Sequence, residues 1–195
     1  MPSSPIGPIE LFRAAQAKAR STEAFDATAC ALATVDGAGR PSVRMVLLKG
    51  ADDRGFVFYA NRDSRKGHEI AARPHAALVF WWPSLAEQVR VEGRVEETSD
   101  AESDEYFATR DRGSQIGAWA SRQSAHLADR AELEASMKHV ESSFAGRPVA
   151  RPPFWGGYRV VPERIEFWRN AENRLHHRLQ YRLRDGSWES ELLYP

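Results

Sequence analysis

The 195-residue chain contains a single cysteine, Cys30, so it cannot form an internal disulfide bond. It has no surplus of either charge, because 27 basic residues match 27 acidic ones. Balanced charge disfavours a general nucleic-acid binder or a polybasic membrane-surface protein. No apolar run reaches the roughly 18 residues that a membrane helix needs, and the Pro/Ser-rich start lacks the apolar segment of a secretory signal. We therefore expect a cytoplasmic protein with no membrane or nucleic-acid partner.

Several common functional motifs are also missing. There is no GxxxxGK[ST] phosphate loop and no GxSxG nucleophile elbow. The segment Gly37-Ala38-Gly39 lacks the third glycine of a dinucleotide fingerprint. Neighbouring residues of a strand point to opposite faces, so the pair His176-His177 cannot chelate one metal ion, and we expect no metal site. Cys30 lies in an apolar strand, which predicts a buried, unreactive thiol.

The order of predicted elements favours an antiparallel sheet with attached helices, an α+β fold. An apolar stripe predicts a helix from Pro8 to about Arg20, and about five strands with one inserted helix follow up to Val95. Ser99 and Glu102 form a capping-box pattern that opens a helical section, and three or four further strands end the chain. Hairpins join most strands, which argues against a doubly wound parallel sheet. We expect a flexible tail over residues 1–7 and one domain over residues 8–195.

Lysine is scarce: only 4 of the 27 basic residues are lysines. Genomic bias toward arginine codons explains this composition, but forked guanidinium groups also suit phosphate and carboxylate recognition. Four segments concentrate cations or phosphate-binding groups. They are Arg174, His176 and Arg178 on one face of a predicted strand; Tyr106, Arg110 and Ser114 at helical spacing; Ser64-Arg65-Lys66 at a predicted helix start; and Arg44 with Lys49.

Each segment also has an ordinary interpretation as a solvated polar surface. Gly113 could interrupt the helix that would align Tyr106, Arg110 and Ser114, and Ser114 could instead cap a new helical turn. Arg44 and Lys49 would face opposite sides of a regular strand, so one site could use both only if the strand bulges or ends near Lys49. Together the four segments suggest a phosphate-bearing cofactor and a phosphate-bearing substrate.

Seven segments, taken together in order and spacing, resemble the pyridoxamine 5′-phosphate oxidase family over nearly the whole chain. They are RMVLLKG, FVFYANRDSRKGHEI, EQVRVEGRVE, YFATRDRGSQIGAWASRQS, FWGGYRV, IEFW and NRLHHR. The resemblance implies a split β-barrel and a homodimer with FMN at its interface. It also implies oxidation of pyridoxamine or pyridoxine 5′-phosphate to pyridoxal 5′-phosphate, with O₂ as acceptor and H₂O₂ as product.

The resemblance also implies the site residues. The FMN contacts would be Arg44, Lys49, Tyr59, Arg65, Lys66, Gln88, Gln123, Ser124, Trp168 and Arg178. The substrate contacts would be Lys49, Tyr106, Arg110, Ser114, Arg174 and His176, of which Arg174 and His176 would hold the substrate over the flavin and are the predicted catalytic residues.

The chain departs from the family pattern at three points. His177 stands where the family usually has an acidic residue, Ala60 replaces a common hydroxyl residue, and the segment before the first helix is short. Two alternatives remain: a related flavin oxidase of another compound, as in phenazine biosynthesis, and a non-catalytic binder of FMN or pyridoxal phosphate. The Tyr106, Arg110 and Ser114 set favours a phosphorylated substrate over a phenazine precursor.

Overall fold

The computed structural model describes residues 7–195. The predicted N-terminal tail therefore lies outside the described residues, except for Gly7, which is the N-cap of helix α1 (Pro8–Thr22). Pro8 occupies the first turn, where its missing N–H costs no hydrogen bond. Ile9, Phe12 and Ala19 form the buried face of α1, which confirms the apolar stripe predicted from the sequence.

Six strands and one helix follow α1. They are β1 (Ala29–Val35), β2 (Pro41–Leu47), β3 (Gly50–Asp52), β4 (Gly55–Asn61), α2 (Arg65–Ala72), β5 (His75–Trp82) and β6 (Glu87–Glu97). A short 3-10 turn at Pro83–Leu85 joins β5 to β6. The prediction of about five strands missed only β3, whose three residues are too few to show an alternating pattern.

Three helices and three strands complete the chain: α3 (Asp100–Ala108), α4 (Arg112–Ala120), α5 (Arg130–Ser143), β7 (Trp155–Arg169), β8 (His177–Arg184) and β9 (Ser187–Leu192). Ser99 and Glu102 form the predicted capping box at the start of α3. No helix within residues 7–195 is long and apolar enough to cross a membrane. The two strand segments predicted around Pro162 are one strand, β7, because a register shift beside Gly93 accommodates the proline.

The nine strands form one antiparallel sheet in the order β2-β1-β5-β6-β7-β4-β3, with β8 and β9 branching from β7. One edge of β7 pairs with β6 over residues 158–169. Its other edge pairs with β4 over residues 155–160 and with β8 over residues 164–169. The sheet therefore divides along β7, and the predicted antiparallel arrangement is confirmed.

Two apolar clusters fix the helices on this sheet. In the larger cluster, Phe12 of α1 packs edge-on against Phe56 and Phe80, with ring centroids 4.8 and 4.9 Å apart. Full burial of such a side chain contributes roughly 1.5–3 kcal/mol. In the smaller cluster, Phe107 of α3 and Trp155 of β7 pack together, which holds α3 and α4 against the start of β7.

Candidate functional site

Eleven of the predicted site residues line two separate clefts. The first cleft, of about 690 Å³, lies between the end of β2, β4 and the helices α2 to α4; it contains Lys49, Tyr59, Lys66, Tyr106, Arg110, Ser114 and Gln123. The second, of about 620 Å³, lies between α1 and the strands β6 to β8; it contains Gln88, Trp168, His176 and Arg178. Among residues 7–195, none lines both clefts.

The other four predicted residues lie apart from these clefts. Arg65 and Ser124 line a third, open cleft, while their sequence neighbours Lys66 and Gln123 line the first. Arg44 and Arg174 line none of the three clefts. Strand β2 ends at Leu47, as it must if one site is to use both Arg44 and Lys49.

Lys66 is a buried cation at the start of α2. Ser64 caps this helix, and its hydroxyl accepts hydrogen bonds from Gly67 N at 3.4 Å and from Lys66 Nζ at 3.0 Å. Lys66 Nζ also donates to Gln123 Oε1 at 2.7 Å. Burial and the nearby charge of Arg44 lower the pKa of Lys66 to about 8. An ammonium held by neutral groups in this way is suited to an anionic ligand.

Arg110 is a further cation of the first cleft, in addition to Lys49 and Lys66. Its Nη1 is buried and has no hydrogen-bond partner within the described residues. Its guanidinium lies over the ring of Trp155, at 4.9 Å from the centroid, and over Phe107, at 5.6 Å. Burial lowers the pKa of Arg110 from its ordinary value. The contribution of Arg110 to the cleft is therefore a positive charge with free donors.

Three near-parallel aromatic rings form one wall of the first cleft. Tyr59 stacks on Tyr106 at 4.1 Å and 14°, and on Trp155 at 5.2 Å and 8°. The Tyr59 hydroxyl donates to the carbonyl oxygen of Glu102 at 3.3 Å. Burial raises the pKa of Tyr59. The ring of Tyr59 therefore packs against the ring of Tyr106 and restricts its position.

Arg44 and Arg65 converge on one buried carboxylate, Glu69. Arg44 Nη2 lies 3.0 Å from Glu69 Oε2, and Arg65 Nε lies 2.8 Å from Glu69 Oε1. The hydroxyls of Thr34 and Ser42 donate to the same carboxylate at 2.5 and 2.6 Å. Burial by itself would raise the pKa of Glu69, but these four donors outweigh it and bring the value to about 2.

A second buried carboxylate, Glu166, organises the second cleft. Arg178 donates to Glu166 from Nε at 2.8 Å and from Nη2 at 3.1 Å, and Arg90 Nη2 donates to it at 2.7 Å. His176 packs on Trp168 with ring centroids 4.5 Å apart. The cleft therefore combines a fixed guanidinium with an imidazole beside an indole.

The structure corrects the predicted strand face through Arg174, His176 and Arg178. Strand β8 begins only at His177, and Arg174 lies in a 3-10 turn with a φ of 62°. The backbone of Ala171 donates to His176 Nδ1 at 3.3 Å, so the histidine helps to close this turn. His176 and Arg178 share the second cleft, but Arg174 does not line it.

Tyr106, Arg110 and Ser114 do not lie on one continuous helix, and the alternative of an interrupted helix is the one observed. Helix α3 ends at Ala108, and Asp111 caps α4 by accepting a hydrogen bond from Ser114 N at 2.8 Å. The interruption suspected at Gly113 thus occurs one turn earlier, and the cap is Asp111 instead of Ser114. The three side chains nevertheless line the same cleft, because the two helices meet at this break.

Sequence reasoning missed three supporting residues: Glu69, Glu166 and Trp155. Glu166 is 2% exposed, and its cross-strand partners in the ladder are the polar residues Arg90 and Gln180. The excess of arginines around such acids was the available signal, because a buried carboxylate needs cationic partners. Cys30 is buried as predicted, and burial raises the pKa of its thiol to about 12. In the part of the chain that the structure describes, no three metal-ligating side chains cluster.

Two family models together match most of the chain. One, described as pyridoxamine 5′-phosphate oxidase, matches residues 17–144. The other, described as the pyridoxine 5′-phosphate oxidase C-terminal dimerisation region, matches residues 155–195. The second region contains all three of the strands β7, β8 and β9.

Curated relatives named pyridoxine/pyridoxamine 5′-phosphate oxidase match over nearly their whole length. The protein from Anaeromyxobacter dehalogenans is 59% identical, covering 100% of this chain and 98% of its own. The protein from Myxococcus xanthus strain DK1622 is 56% identical, covering 98% and 93%.

Solved structures agree with the fold. PhzG from Burkholderia lata, in complex with tetrahydrophenazine-1-carboxylic acid, superposes with a TM-score of 0.91 at 31% identity, covering 99% of this chain and 95% of its own. A pyridoxamine 5′-phosphate oxidase-related, FMN-binding protein from Nostoc punctiforme gives a TM-score of 0.76 at 19% identity, covering 98% and 99%. The expected antiparallel split β-barrel is thereby confirmed.

Proposed function

The chain belongs to the pyridoxamine 5′-phosphate oxidase family, and from this premise we propose that it is an FMN-dependent oxidase producing pyridoxal 5′-phosphate. Pyridoxine 5′-phosphate and O₂ give pyridoxal 5′-phosphate and H₂O₂. Pyridoxamine 5′-phosphate, O₂ and water give pyridoxal 5′-phosphate, ammonia and H₂O₂. The observation that carries the proposal is the presence of two cations in one cleft, the buried Lys66 and the half-buried Arg110, neither of which forms a salt bridge among residues 7–195.

The donor set around α2 fits the phosphate of FMN. Lys66 is held by neutral oxygens, and Arg65 and Ser124 lie on the adjoining segments. A helix N-terminus adds free N–H groups and a favourable dipole for an anion. FMN held by these residues would supply the redox chemistry, the transfer of two electrons from the substrate to O₂.

The substrate phosphate would bind to Tyr106, Arg110 and Ser114. Arg110 contributes the charge, and two hydroxyls add direction. Lys49, which lines the same cleft, would contact both ligands. The protein's role is to hold the substrate in line with the cofactor and to exclude water, which lowers the entropic part of the barrier.

We also propose a homodimer in which the first cleft of one subunit meets the second cleft of its partner. The outward face of β2 is apolar, with Val43 68% and Met45 65% exposed. Across β1 and β5 the same sheet face continues to Trp81, which pairs with Gln88 of the second cleft. An apolar surface that borders both clefts supports coverage by a second copy.

A flavin spectrum tests the cofactor and the substrate together. We expect the purified protein to show an oxidised flavin band that bleaches when pyridoxine 5′-phosphate is added under argon. Admission of air should restore the band and release H₂O₂. A flavin band that persists with this substrate would identify a non-catalytic binder, and a protein that cannot be loaded with FMN would refute the cofactor assignment.

A phenazine-type flavin oxidase is the second candidate, because the PhzG structure superposes over almost the whole chain. The ligand in that structure is a carboxylic acid without phosphate, whereas the first cleft presents the Tyr106, Arg110 and Ser114 set. Turnover of a dihydrophenazine carboxylic acid in preference to pyridoxine 5′-phosphate would favour this candidate. We expect the opposite preference.

A further inference from the structure

Trp155 lies beside two of the groups proposed to bind the substrate phosphate in the first cleft. It is 6% exposed, and its ring faces the guanidinium of Arg110 at 4.9 Å. The ring of Tyr106 lies almost parallel to it, at 6.2 Å and 7°. One indole therefore contacts a predicted charge donor and borders a predicted hydroxyl donor.

The contact with Trp155 orients Arg110 without using its hydrogen-bond donors. The face of an indole ring carries negative potential, so it attracts a guanidinium while accepting no conventional hydrogen bond. Arg110 Nη1 accordingly has no hydrogen-bond partner in the described ranges of the chain. A carboxylate in the same place would neutralise the cation and compete with an incoming phosphate.

Arg178 shows the contrasting arrangement in the second cleft. Its Nε and Nη2 are bonded to Glu166, and its Nη1 donates to the carbonyl oxygen of Tyr194 at 2.9 Å. Three nitrogens are thus engaged within the protein. Of these two arginines, Arg110 is the one that keeps a buried nitrogen without a partner.

Hydrogen bonds hold the backbone of Trp155 in the sheet, and a contact through Arg151 connects it to helix α3. Arg151 Nη1 donates to the carbonyl oxygen of Trp155 at 2.6 Å, and the same guanidinium bridges to Asp100 and Asp104 of α3. Trp155 also pairs with Asn61 in the ladder between β4 and β7. The ring is therefore held in a constant position relative to the helix that carries Tyr106.

We propose that Trp155 is a positioning residue for substrate phosphate, an aromatic platform that orients Arg110 directly and Tyr106 through the intervening ring contact of Tyr59, and leaves their donors free. The inference rests on the proposed oxidase function. It predicts that loss of the ring weakens substrate binding while the cofactor site and the chemical step are retained.

The test compares Trp155→Leu and Trp155→Phe with the matched control Trp119→Leu. Trp119 belongs to the same apolar cluster and donates from Nε1 to Ala150 O, but its ring contacts are to Phe144 and Phe154. We expect Trp155→Leu to raise KM for pyridoxine 5′-phosphate about ten-fold, the equivalent of a desolvated cation–π contact. The value of kcat should stay within about two-fold, FMN affinity should be unchanged, and Trp155→Phe should recover most of the KM.

Binding to the flavin-reduced protein under argon, measured by calorimetry with pyridoxine 5′-phosphate, gives a readout without turnover. The dissociation constant should rise by the same factor in Trp155→Leu and remain unchanged in Trp119→Leu.

Equal KM increases in both leucine variants, or an unchanged KM in Trp155→Leu, would overturn the platform proposal. If Trp155→Leu does not fold, the KM of Trp155→Phe decides. A value equal to that of the wild type would overturn the platform proposal. A two- to three-fold increase, on the order expected for the weaker ring, would support the proposal. The wild-type protein could bind pyridoxine 5′-phosphate more tightly than Trp155→Leu and yet not turn it over. That result would refute the oxidase proposal and leave the role of Trp155 in binding intact.

Discussion

The carboxylate of Glu166 receives two parallel hydrogen bonds from the guanidinium of Arg178, at 2.8 and 3.1 Å. Glu166 is 2% exposed and lies on β7, while Arg178 lies on the neighbouring strand β8. Such a bidentate pair fixes the plane of the guanidinium as well as its charge. Glu166 thereby determines where Arg178, a predicted FMN contact, can offer its remaining donors.

Glu166→Gln should weaken FMN binding and lower stability. The change leaves Arg178 and Arg90 without their anionic partner, and removal of one member of a buried ion pair costs about 3–5 kcal/mol. We expect the FMN dissociation constant, measured by flavin fluorescence, to rise roughly ten-fold. The control is Glu92→Gln, whose half-exposed pair with Arg164 should contribute less than about 1 kcal/mol. A lower thermal midpoint with unaltered FMN affinity would show that Glu166 supports the fold alone.

Arg110→Ala should raise KM for pyridoxine 5′-phosphate at least ten-fold, because a charge-assisted contact contributes roughly 1.5–3 kcal/mol. FMN affinity should change far less. Arg112→Ala is the control, since the Arg112 guanidinium donates only to the carbonyl oxygens of Arg147 and Phe144 among the described residues. Steady-state kinetics at several substrate concentrations separate the two variants. An unchanged KM in Arg110→Ala would remove Arg110 from the phosphate site.

FMN affinity should fall as pH rises above about 8, the pKa to which burial and Arg44 lower Lys66. Below this value the amine is charged and attracts phosphate; above it, binding must be accompanied by uptake of a proton. Lys66→Met should bind FMN weakly and lose this pH dependence. Lys138→Met, on α5, should keep the wild-type profile. Titrations of the apoprotein between pH 7 and about 9.5 measure the difference, and parallel profiles in Lys66→Met and the wild type would contradict it.

Glu69 should contribute an acid-sensitive part of the stability. Its pKa is about 2 in the folded protein and near 4.5 in the unfolded chain, so its stabilising effect is complete above pH 4.5. This effect is lost as pH falls from 4.5 through about 2, because the unfolded state then binds the proton more readily. Glu69→Gln should be less stable at pH 7 and should lose less stability than the wild type on acidification. Equal slopes of thermal midpoint against pH would exclude this role.

The two adjacent histidines should respond differently to substitution. His176 packs on Trp168, so His176→Ala should lower kcat/KM while FMN stays bound. His177 is exposed at the start of β8, opposite Arg169 in the ladder, and also lines the second cleft, contrary to the opposite faces expected from the strand period. His177→Asp should therefore change stability or FMN retention by no more than about 1 kcal/mol, in the favourable direction. Loss of turnover in His177→Asp together with a neutral His176→Ala would reverse the assignment of the two side chains.

Local features of the sequence determined most of the secondary structure. The apolar spacing of α1 and the capping box of Ser99 and Glu102 each depend on residues a few positions apart. Such signals are readable without the fold because the interacting groups are neighbours in the chain. The motifs around Lys66, Arg110 and His176 likewise identified the family and the predicted site residues.

The tertiary structure alone decided which of the predicted site residues share a cleft and which groups orient them. Lys66 meets Gln123 across 57 positions, and Arg90 meets Glu166 across 76. Many arginines and acidic residues of this chain have similar local sequence patterns. The strand pairing around β7 and the break between α3 and α4 determine which of them become partners. Burial then gives each pair its strength, because a carboxylate or an indole face attracts a cation strongly only where water is excluded. The sequence by itself determined the kinds of groups in the site, and long-range packing determined that Arg110 rests on Trp155 whereas Arg178 is bound to Glu166.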